Sequence, residues 1–277
     1  MSRRPRHRGP ATAALALGLA LGAMAPAARA QDEVPFITTP DRVTLAMLEL
    51  AKVGPGDHVI DLGSGDGRIV ITAARRYGAT GLGVEIVPEL VLRSRTSART
   101  AGVETRTEFR EQDLFATDLA RASVVTMYLL PDVNLQLRPR LLALAPGTRI
   151  VSHDWDMGDW LPDRSLTIDV PEKTIGREKS SRVHLWQVPA RIGGVWCAAG
   201  GARLEIVQRF QRYSATLSSG GVRASAPPQV FDGGVAGRTL HVEPPSAVRL
   251  DLTGEELVVH GPDGDRRYAR TPGGRCA

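Results

Sequence analysis

Three acidic residues and one run of glycines have the types and the spacing to bind a charged small molecule. The segment DLGSGDGR (residues 61–68) follows an apolar stretch and precedes a helical pattern. Glu85 ends the second apolar stretch, and Asp113 follows the third. Because glycine has no Cβ, such a turn lets the backbone approach a ligand closely. The acids are expected at the carboxyl ends of neighbouring strands, where a doubly wound sheet opens its crevice.

The glycine spacing and the charge of the acids narrow the choice of ligand. A dinucleotide fingerprint needs glycine at position 68, where this chain has Arg68. A dinucleotide also places a pyrophosphate at a helix N-terminus. S-adenosylmethionine has no phosphate, and the positive charge of its ammonium and sulfonium suits the carboxylate of Asp61. Glu85 can accept both ribose hydroxyls, and Asp113 can accept from the adenine amino group beside a backbone donor at Leu114.

The pattern therefore predicts S-adenosylmethionine as the cofactor. The expected cofactor-binding residues in and after the turn are Asp61, Gly63, Ser64, Gly65, Gly67, Glu85, Asp113 and Leu114.

Alternating strand and helix patterns between residues 40 and 189 must position these residues. Strands are predicted at 58–62, 81–86, 105–110, 122–130, 148–153, 166–170 and 182–188. Helices are predicted at 41–52, with Asp41 as its cap, and at 68–77, 88–102 and 134–144. The last two strands have no helical pattern between them, and we expect them to pair as an antiparallel edge. The fold class is α/β, a doubly wound, mostly parallel, Rossmann-like sheet of seven strands.

The sequence changes character after residue 189. Helical periodicity stops, and short alternating segments separated by Gly and Pro predict a small all-β barrel or sandwich over 190–277. Cys197 lies in its first segment, and Cys276 is the penultimate residue of the chain. In an oxidising compartment the two could form a disulfide that staples this small module. Two unrelated thiols are the alternative.

Residues 1–30 have the pattern of a secretory signal peptide: a basic start, an apolar run and a small-x-small site at Ala28-Arg29-Ala30. We therefore expect an exported protein, periplasmic or secreted, with an uncleaved anchor as the alternative. Five arginines of the 277-residue chain lie in this leader, and without them basic and acidic residues balance at 30 each. A neutral body argues against nucleic acid as a partner. No other apolar run is long enough to span a membrane.

The organisation that follows is a signal peptide at 1–30, an α/β domain at 31–189 and a β-module at 190–277. In its α/β domain, the chain resembles the class I, seven-strand S-adenosylmethionine-dependent methyltransferases. DLGSGDG matches motif I of that family, Glu85 matches its ribose acid and Asp113 its adenine acid.

A narrower resemblance rests on VPFITTP (34–40), DLGSGDGRIV, GVEI and YLLP (128–131). These segments resemble the protein-lysine methyltransferases that modify the mitochondrial ATP synthase c-subunit and adenine nucleotide translocase, and their bacterial relatives. The resemblance implies a lid over the cofactor made by Pro35, Phe36, Thr38 and Thr39. It also implies that Tyr128–Pro131 form the floor where methyl acceptor and sulfonium meet. It covers residues 34–165 and does not extend to the β-module.

Together these observations predict an exported methyltransferase that acts on a protein lysine amine. Because an amine must lose a proton before it attacks, we consider His153 and Asp154 as proton acceptors and Tyr128 as the group that directs the lone pair. A small-molecule O- or N-methyltransferase and a non-catalytic nucleoside-binding envelope protein are the alternatives. The partner of the β-module cannot be assigned.

The segment SHDWDMGDW contains Asp154, Asp156 and Asp159, which suggest a metal site. Oxygen ligands of this kind suit Mg²⁺. Acids spaced this way in a loop more often cap helices or face solvent. No metal is predicted.

Overall fold

The alternating segments form two sheets in a computed structural model, which describes residues 37–174, 178–220, 227–262, 264–274 and 276. The predicted signal peptide, Pro35 and Phe36 lie outside the described residues. The chain from Ile37 onward forms one compact unit.

The first sheet has seven strands, as predicted. They are β1 (His58–Leu62), β2 (Thr80–Glu85), β3 (Thr107–Glu111), β4 (Val124–Met127), β5 (Arg149–His153), β6 (Arg164–Asp169) and β7 (Ser180–Gln187). Their order is β3-β2-β1-β4-β5-β7-β6, with β7 antiparallel to both neighbours and the other pairs parallel. The helices are α1 (Asp41–Leu50), α2 (Arg68–Tyr77), α3 (Pro88–Thr100) and α4 (Pro131–Leu141).

The sheet is covered on both faces because its strands are apolar at consecutive positions. Val59 packs with Val43 and Met47 of α1. The next residue, Ile60, points to the opposite face and packs with Leu137 and Leu141 of α4. The predicted doubly wound, Rossmann-like arrangement is therefore present.

Two details differ from the sequence prediction. Asp41 does not cap α1: Pro40 occupies the N-cap position, and Asp41 is the first helical residue. Strand β4 ends at Met127, and α4 already begins at Pro131, because proline fits the first turn of a helix. The segment 128–130 therefore lies outside the sheet, between β4 and α4.

The second sheet is mostly antiparallel and has eight strands. They are β8 (Gly194–Cys197), β9 (Arg203–Arg209), β10 (Arg212–Ser218), β11 (Gln229–Ala236), β12 (Thr239–Val242), β13 (Arg249–Thr253), β14 (Glu256–Gly261) and β15 (Gly264–Arg270). Their order is β12-β11-β10-β9-β8-β15-β14-β13. The end strands β12 and β13 lie next to each other, so the sheet nearly closes on itself. Its inward side chains form a separate core, with Trp196, Leu204, Tyr213, Leu257 and Tyr268 among them.

Cys197 and Cys276 form a disulfide, as the sequence analysis expected. It ties the first strand of the second sheet to the end of the chain. Burial of Trp196, with its indole N–H donating to the carbonyl of Ile192 at 2.8 Å, fixes the same strand from inside.

None of the helices in the described part of the chain is long and apolar enough to cross a membrane.

Candidate active site

The site lies where the chain order of the first sheet reverses. From β1 the chain adds β2 and β3 on one side and then crosses to β4 on the other. Ligands of such folds bind outside the carboxyl ends of the strands at this switch point. Asp61 on β1 is paired with Gly83 on β2 and Thr126 on β4, so it sits at the centre of the switch.

The carboxylate of Asp61 is buried and accepts a hydrogen bond from Thr126 Oγ1 at 2.7 Å. Burial raises the pKa of Asp61 to about 7, and the nearby carboxylates of Glu85 and Asp66 act in the same direction. No cationic side chain among the described residues pairs with it. A cation that binds beside a buried acid stabilises its ionised form and lowers its pKa.

The glycine turn needs glycine for conformation as well as for space. Gly63, Gly65 and Gly67 have φ values of 74°, 53° and 79°, in the left-handed region. A Cβ at Gly67 would lie 2.7 Å from the ring of Phe109 on β3. The hydroxyl of Ser64 is buried and has no hydrogen-bond partner within the described residues. It therefore keeps a free donor and acceptor inside the turn.

Glu85 is fixed by backbone donors at the end of β2. Its Oε2 accepts from Gly65 N at 3.0 Å, and its Oε1 accepts from the N–H groups of Ile86 and Val87 at 2.8 and 3.1 Å. Each carboxylate oxygen has two acceptor positions. One acceptor position therefore remains, on Oε2, and acceptance from both ribose hydroxyls would need one of these backbone contacts to be shared.

Asp113 is exposed at the end of β3 and begins a short 3₁₀ turn, Leu114–Ala116. Its Oδ1 accepts from Phe115 N at 2.8 Å. The first N–H groups of a helical turn have no partner inside the turn. Leu114 can thus offer its N–H beside the second oxygen of Asp113.

These residues fit S-adenosylmethionine. Four features line three successive strand ends. They are Asp61, buried and without a cationic partner among the described residues, the fixed acceptor Glu85, the free Ser64 hydroxyl, and the donor–acceptor pair at Asp113 and Leu114. They match the charge and the hydrogen-bonding groups of the nucleoside and amino-acid ends of that molecule.

Arg68 ties Thr39, which lies in the predicted lid, to the glycine turn, a role that its sequence position did not indicate. Its Nη2 pairs with Asp66 at 2.7 Å, and its Nη1 donates to the carbonyl of Thr39 at 2.9 Å. Thr39 is buried, and its hydroxyl lies 3.3 Å from His153 Nδ1, whereas Thr38 is exposed. Thr39 therefore reaches the crevice wall.

Tyr128 and His153 lie together on the other side of the crevice, with ring centroids 3.9 Å apart. His153 is engaged through both nitrogens, since Nε2 lies 2.9 Å from Ser181 Oγ. Burial lowers the pKa of His153 to about 4, so the ring is neutral near pH 7. Burial also raises the pKa of the Tyr128 phenol, which keeps its proton.

Asp154 follows His153, and its charge is balanced. Its Oδ2 accepts from Lys173 Nζ at 2.8 Å, and its Oδ1 accepts from Arg182 N at 2.8 Å. Burial alone would raise the pKa of Asp154, but these hydrogen bonds lower it on balance. The geometry favours His153 as a support for Tyr128 and Thr39. The role of His153 and Asp154 as proton acceptors stays a prediction.

The other acids of this segment have partners of their own. Asp156 accepts from Gly158 N at 3.0 Å, and Asp159 pairs with Arg138 and Arg209. Over the described ranges, no three acidic, histidine or cysteine side chains are grouped as a metal would require.

Sequence reasoning missed the residues that act on the site from other elements. Thr126, Ser181 and Lys173 carry no motif of their own. Only the register of β4 against β1 and the return of β7 beside β5 place them there.

Comparisons with known proteins find methyltransferases among the relatives of this chain. The family described as ANTKMT methyltransferase domain matches residues 61–164. A protein-lysine N-methyltransferase from Saccharolobus islandicus (strain REY15A) is 41% identical over 138 residues, which cover 49% of this chain and 86% of that protein. The Xenopus laevis lysine N-methyltransferase of the ATP synthase c-subunit is 36% identical over 131 residues, 47% of this chain. The chain spans about half the length of that vertebrate relative, 56%.

A solved structure is similar in fold and sequence. The crystal structure of an RNA methyltransferase from Salinibacter ruber in complex with S-adenosyl-L-homocysteine superimposes with a TM-score of 0.51 at 50% identity. The match covers 56% of this chain and 96% of that one. A large part of this chain therefore has no counterpart there.

Proposed function

We propose that this chain, which belongs to the methyltransferase family of the Saccharolobus islandicus protein-lysine N-methyltransferase, transfers a methyl group from S-adenosylmethionine to a lysine amine of a protein. The observation that carries the proposal is the set of three carboxylates at successive strand ends, with Asp61 buried and unpaired with any cation in the described part of the chain. The names of the Saccharolobus and Xenopus relatives support lysine as the acceptor.

The chain's own residues bind and orient in this proposal. Bound S-adenosylmethionine supplies a methyl group that its sulfonium already activates. Asp61, Glu85 and Asp113 hold the cofactor, and Thr39, tied by Arg68, covers it. The phenol of Tyr128 orients the lone pair of the incoming amine, with His153 packed behind its ring. Because the transfer is a displacement between two positioned groups, orientation supplies most of the rate. Removal of water from the crevice lowers the pKa of the amine and favours its neutral form.

The experiment has a binding step and a transfer step. Calorimetry of the purified, ligand-free chain should show binding of S-adenosylmethionine and S-adenosylhomocysteine. A mixture of short peptides with lysine at the centre should then gain 14 Da, read by mass spectrometry, and the same mixture with norleucine at the centre should not. Absence of binding would sink the proposal. Binding without transfer to the lysine peptides would reject the acceptor.

RNA is the second candidate acceptor, because the Salinibacter relative is described as an RNA methyltransferase. The balanced charge of the chain outside its first 30 residues speaks against it. Total RNA as a third arm of the transfer experiment decides between the two acceptors.

We also propose that the chain is exported, with residues 1–30 removed, 31–189 as the methyltransferase domain and 190–277 as the β-module. The leader pattern and the Cys197–Cys276 disulfide support this. Fractionation should find the protein outside the cytoplasm, starting at Gln31, with both cysteines resistant to alkylation until reduced. Cytoplasmic protein with its leader intact and two free thiols would contradict it.

A further inference from the structure

The segment between β5 and β6, residues 154–163, directly follows His153, whose ring contacts Tyr128, and we name it the acceptor loop. Trp155 on this loop is 43% exposed although it is a large apolar side chain. The amide of the buried Asn134 on α4 donates to the carbonyls of Trp155 and Asp156 at 3.3 and 3.2 Å. The first half of the loop is therefore attached to the helix that follows the Tyr128 segment.

The second half of the acceptor loop is held by the β-module. Three consecutive residues at the tip of the β9–β10 hairpin, 209–211, reach it, and we name them the hairpin tip. Arg209 Nη2 pairs with Asp159 Oδ2 at 2.6 Å, and Gln211 Nε2 donates to the carbonyl of Leu161 at 2.6 Å. Between them the ring of Phe210 stacks on Trp160, with centroids 6.1 Å apart and planes at 21°.

Arg138 extends this contact to α4. Its guanidinium lies 5.6 Å from the centroid of Phe210, and its Nη1 donates to the carbonyl of Met157 at 2.8 Å. Trp160, the residue under Phe210, is fully buried, and its carbonyl accepts from the indole N–H of Trp186 at 2.8 Å. The hairpin tip thus packs on Trp160, the residue of the loop that is buried in the core.

The backbone conformation of Phe210 indicates that this residue is present for its contact with Trp160 and not for the geometry of the turn. Only Phe210 and Gln211 separate the paired residues Arg209 and Arg212, and Phe210 has a φ of 52°. Two-residue hairpins with positive φ at the first central position favour glycine there. A bulky side chain in that conformation is strained and persists only where its surroundings hold it. Phe210 is held by its stack on Trp160 and by the guanidinium groups of Arg138 and Arg209, which lie near its ring.

The two parts are not packed continuously beside the tip. A cavity of about 580 Å³ opens there, lined by Leu161, Pro162, Phe210, Val235 and Ala236 among others. The hairpin tip therefore makes localised contacts to the loop rather than belonging to a broad dry interface.

We propose that the hairpin tip of the β-module is a positioning element for the methyl-acceptor side of the crevice. It holds residues 159–161 of the acceptor loop, while α4 holds the first half of the loop and the cofactor side is built without the tip. The inference rests on the proposed function for the meaning of the acceptor side. The β-module would thus have a structural role at the site, whether or not it also binds a partner.

The test compares Phe210→Ala with Val207→Ala in the full chain. Val207 lies on the same hairpin, is 70% exposed and makes none of the contacts described above. For Phe210→Ala we expect amide hydrogen exchange in residues 154–163 to become about tenfold faster or more, since local opening costs less once the stack is lost. With the lysine peptides as probe, the KM for peptide should rise about tenfold, because a displaced wall misaligns the acceptor. Affinity for S-adenosylmethionine should change less than about twofold.

Phe210→Tyr, which keeps the stacked ring, should restore both readouts. A second pair of variants distinguishes loss of the salt bridge to the loop from general destabilisation of the module. Arg209→Ala breaks the contact to Asp159, whereas Arg212→Ala removes an arginine paired with Glu243 inside the module. Only Arg209→Ala should speed exchange in the acceptor loop.

Unchanged loop exchange in both Phe210→Ala and Arg209→Ala would overturn the inference. So would an equal loss of affinity for S-adenosylmethionine, because the effect would then be general. If the parent chain methylates no lysine peptide, the proposed acceptor fails on its own, and the exchange measurement still decides whether the hairpin tip holds the loop.

Discussion

The two sides of the crevice are built by different means. On the cofactor side, Asp61, Glu85 and Asp113 each follow a strand, and neighbouring strands place them together. On the acceptor side, Tyr128 and His153 also stand at the ends of neighbouring strands, β4 and β5, but the loop that follows His153 is braced by a second sheet. The first side depends on strand order alone, and the second depends in addition on contacts between distant segments.

The charge of the two sides differs in the same way. Asp61 and Glu85 have no cationic partner among the described residues, so this side carries negative charge that a cation can balance. Asp154 is paired with Lys173, and Asp159 with Arg138 and Arg209. The acceptor side is therefore close to neutral, which suits an amine that must arrive without its proton.

The largest expected effect tests the cofactor side. Asp61→Asn removes the buried negative charge, and we expect affinity for S-adenosylmethionine to fall about 100-fold, since a charged hydrogen-bonded contact is worth about 1.5–3 kcal/mol. The ligand-free variant should nevertheless melt at a higher temperature above pH 7, because a buried charge is gone. Calorimetry measures both, with Asp118→Asn, an exposed acid outside the crevice, as the control. A variant that binds within threefold of the parent would show that the charge is not used.

The next effect tests the acceptor side alone. Tyr128→Phe keeps the ring packed on His153 but removes the hydroxyl, and we expect kcat to fall about thirtyfold, since oriented hydrogen-bonding groups contribute at this scale. Affinity for S-adenosylmethionine should stay unchanged. Single-turnover kinetics with the lysine peptides measures the first, and calorimetry the second. Tyr77→Phe, on α2 away from the crevice, is the matched control. A kcat equal to that of the parent would leave Tyr128 a packing residue.

The pH dependence of S-adenosylmethionine binding is a smaller expected effect, and the pKa of Asp61 gives its direction. The pKa of Asp61 is about 7 in the folded, ligand-free chain, above its unfolded value, so the folded state binds a proton more tightly. Its contribution to stability is fully present below the unfolded pKa of about 4 and is lost as pH rises through about 7. Affinity for a cation changes the other way, because the ionised acid binds it.

We therefore expect affinity for S-adenosylmethionine to fall about tenfold per pH unit below about pH 7. Calorimetry between about pH 5.5 and 7 measures it. Asp61→Asn should remove the dependence, and a slope that persists in this variant would assign the proton to another group.

The smallest effect concerns the residue that links the two sides. Arg68 contacts Asp66 in the glycine turn and the carbonyl of Thr39, whose hydroxyl meets His153. Arg68→Gln should weaken cofactor affinity and raise the peptide KM by a similar factor of about five, since both sides lose one positioned contact. Arg76→Gln, exposed on the same helix, should change neither. An effect confined to one side would show that the lid does not couple them.

Much of the fold and half of the site could be predicted from the sequence. The glycine turn, Glu85 and Asp113 lie at strand ends, as predicted, because each is next to a strand whose apolar pattern is plain, and their binding roles stay predictions. The paired cysteines were found because each occupies one end of the same module. The predicted cap at Asp41 and the predicted length of β4 were wrong, since Pro40 takes the N-cap position of α1 and Pro131 begins α4. Arg68 was seen only as a departure from another fingerprint.

What the sequence determined by itself is the order of strands, helices and acids, because hydrophobic period and turn residues act over a few positions. It thereby determined the charge and the hydrogen-bonding character of the cofactor side. The tertiary structure decided which residues support those acids and what forms the opposite wall. Thr126 reaches Asp61 through strand register, and Phe210 reaches Trp160 from another sheet. Such contacts join segments tens of residues apart, and nothing in the local pattern of either segment specifies its partner.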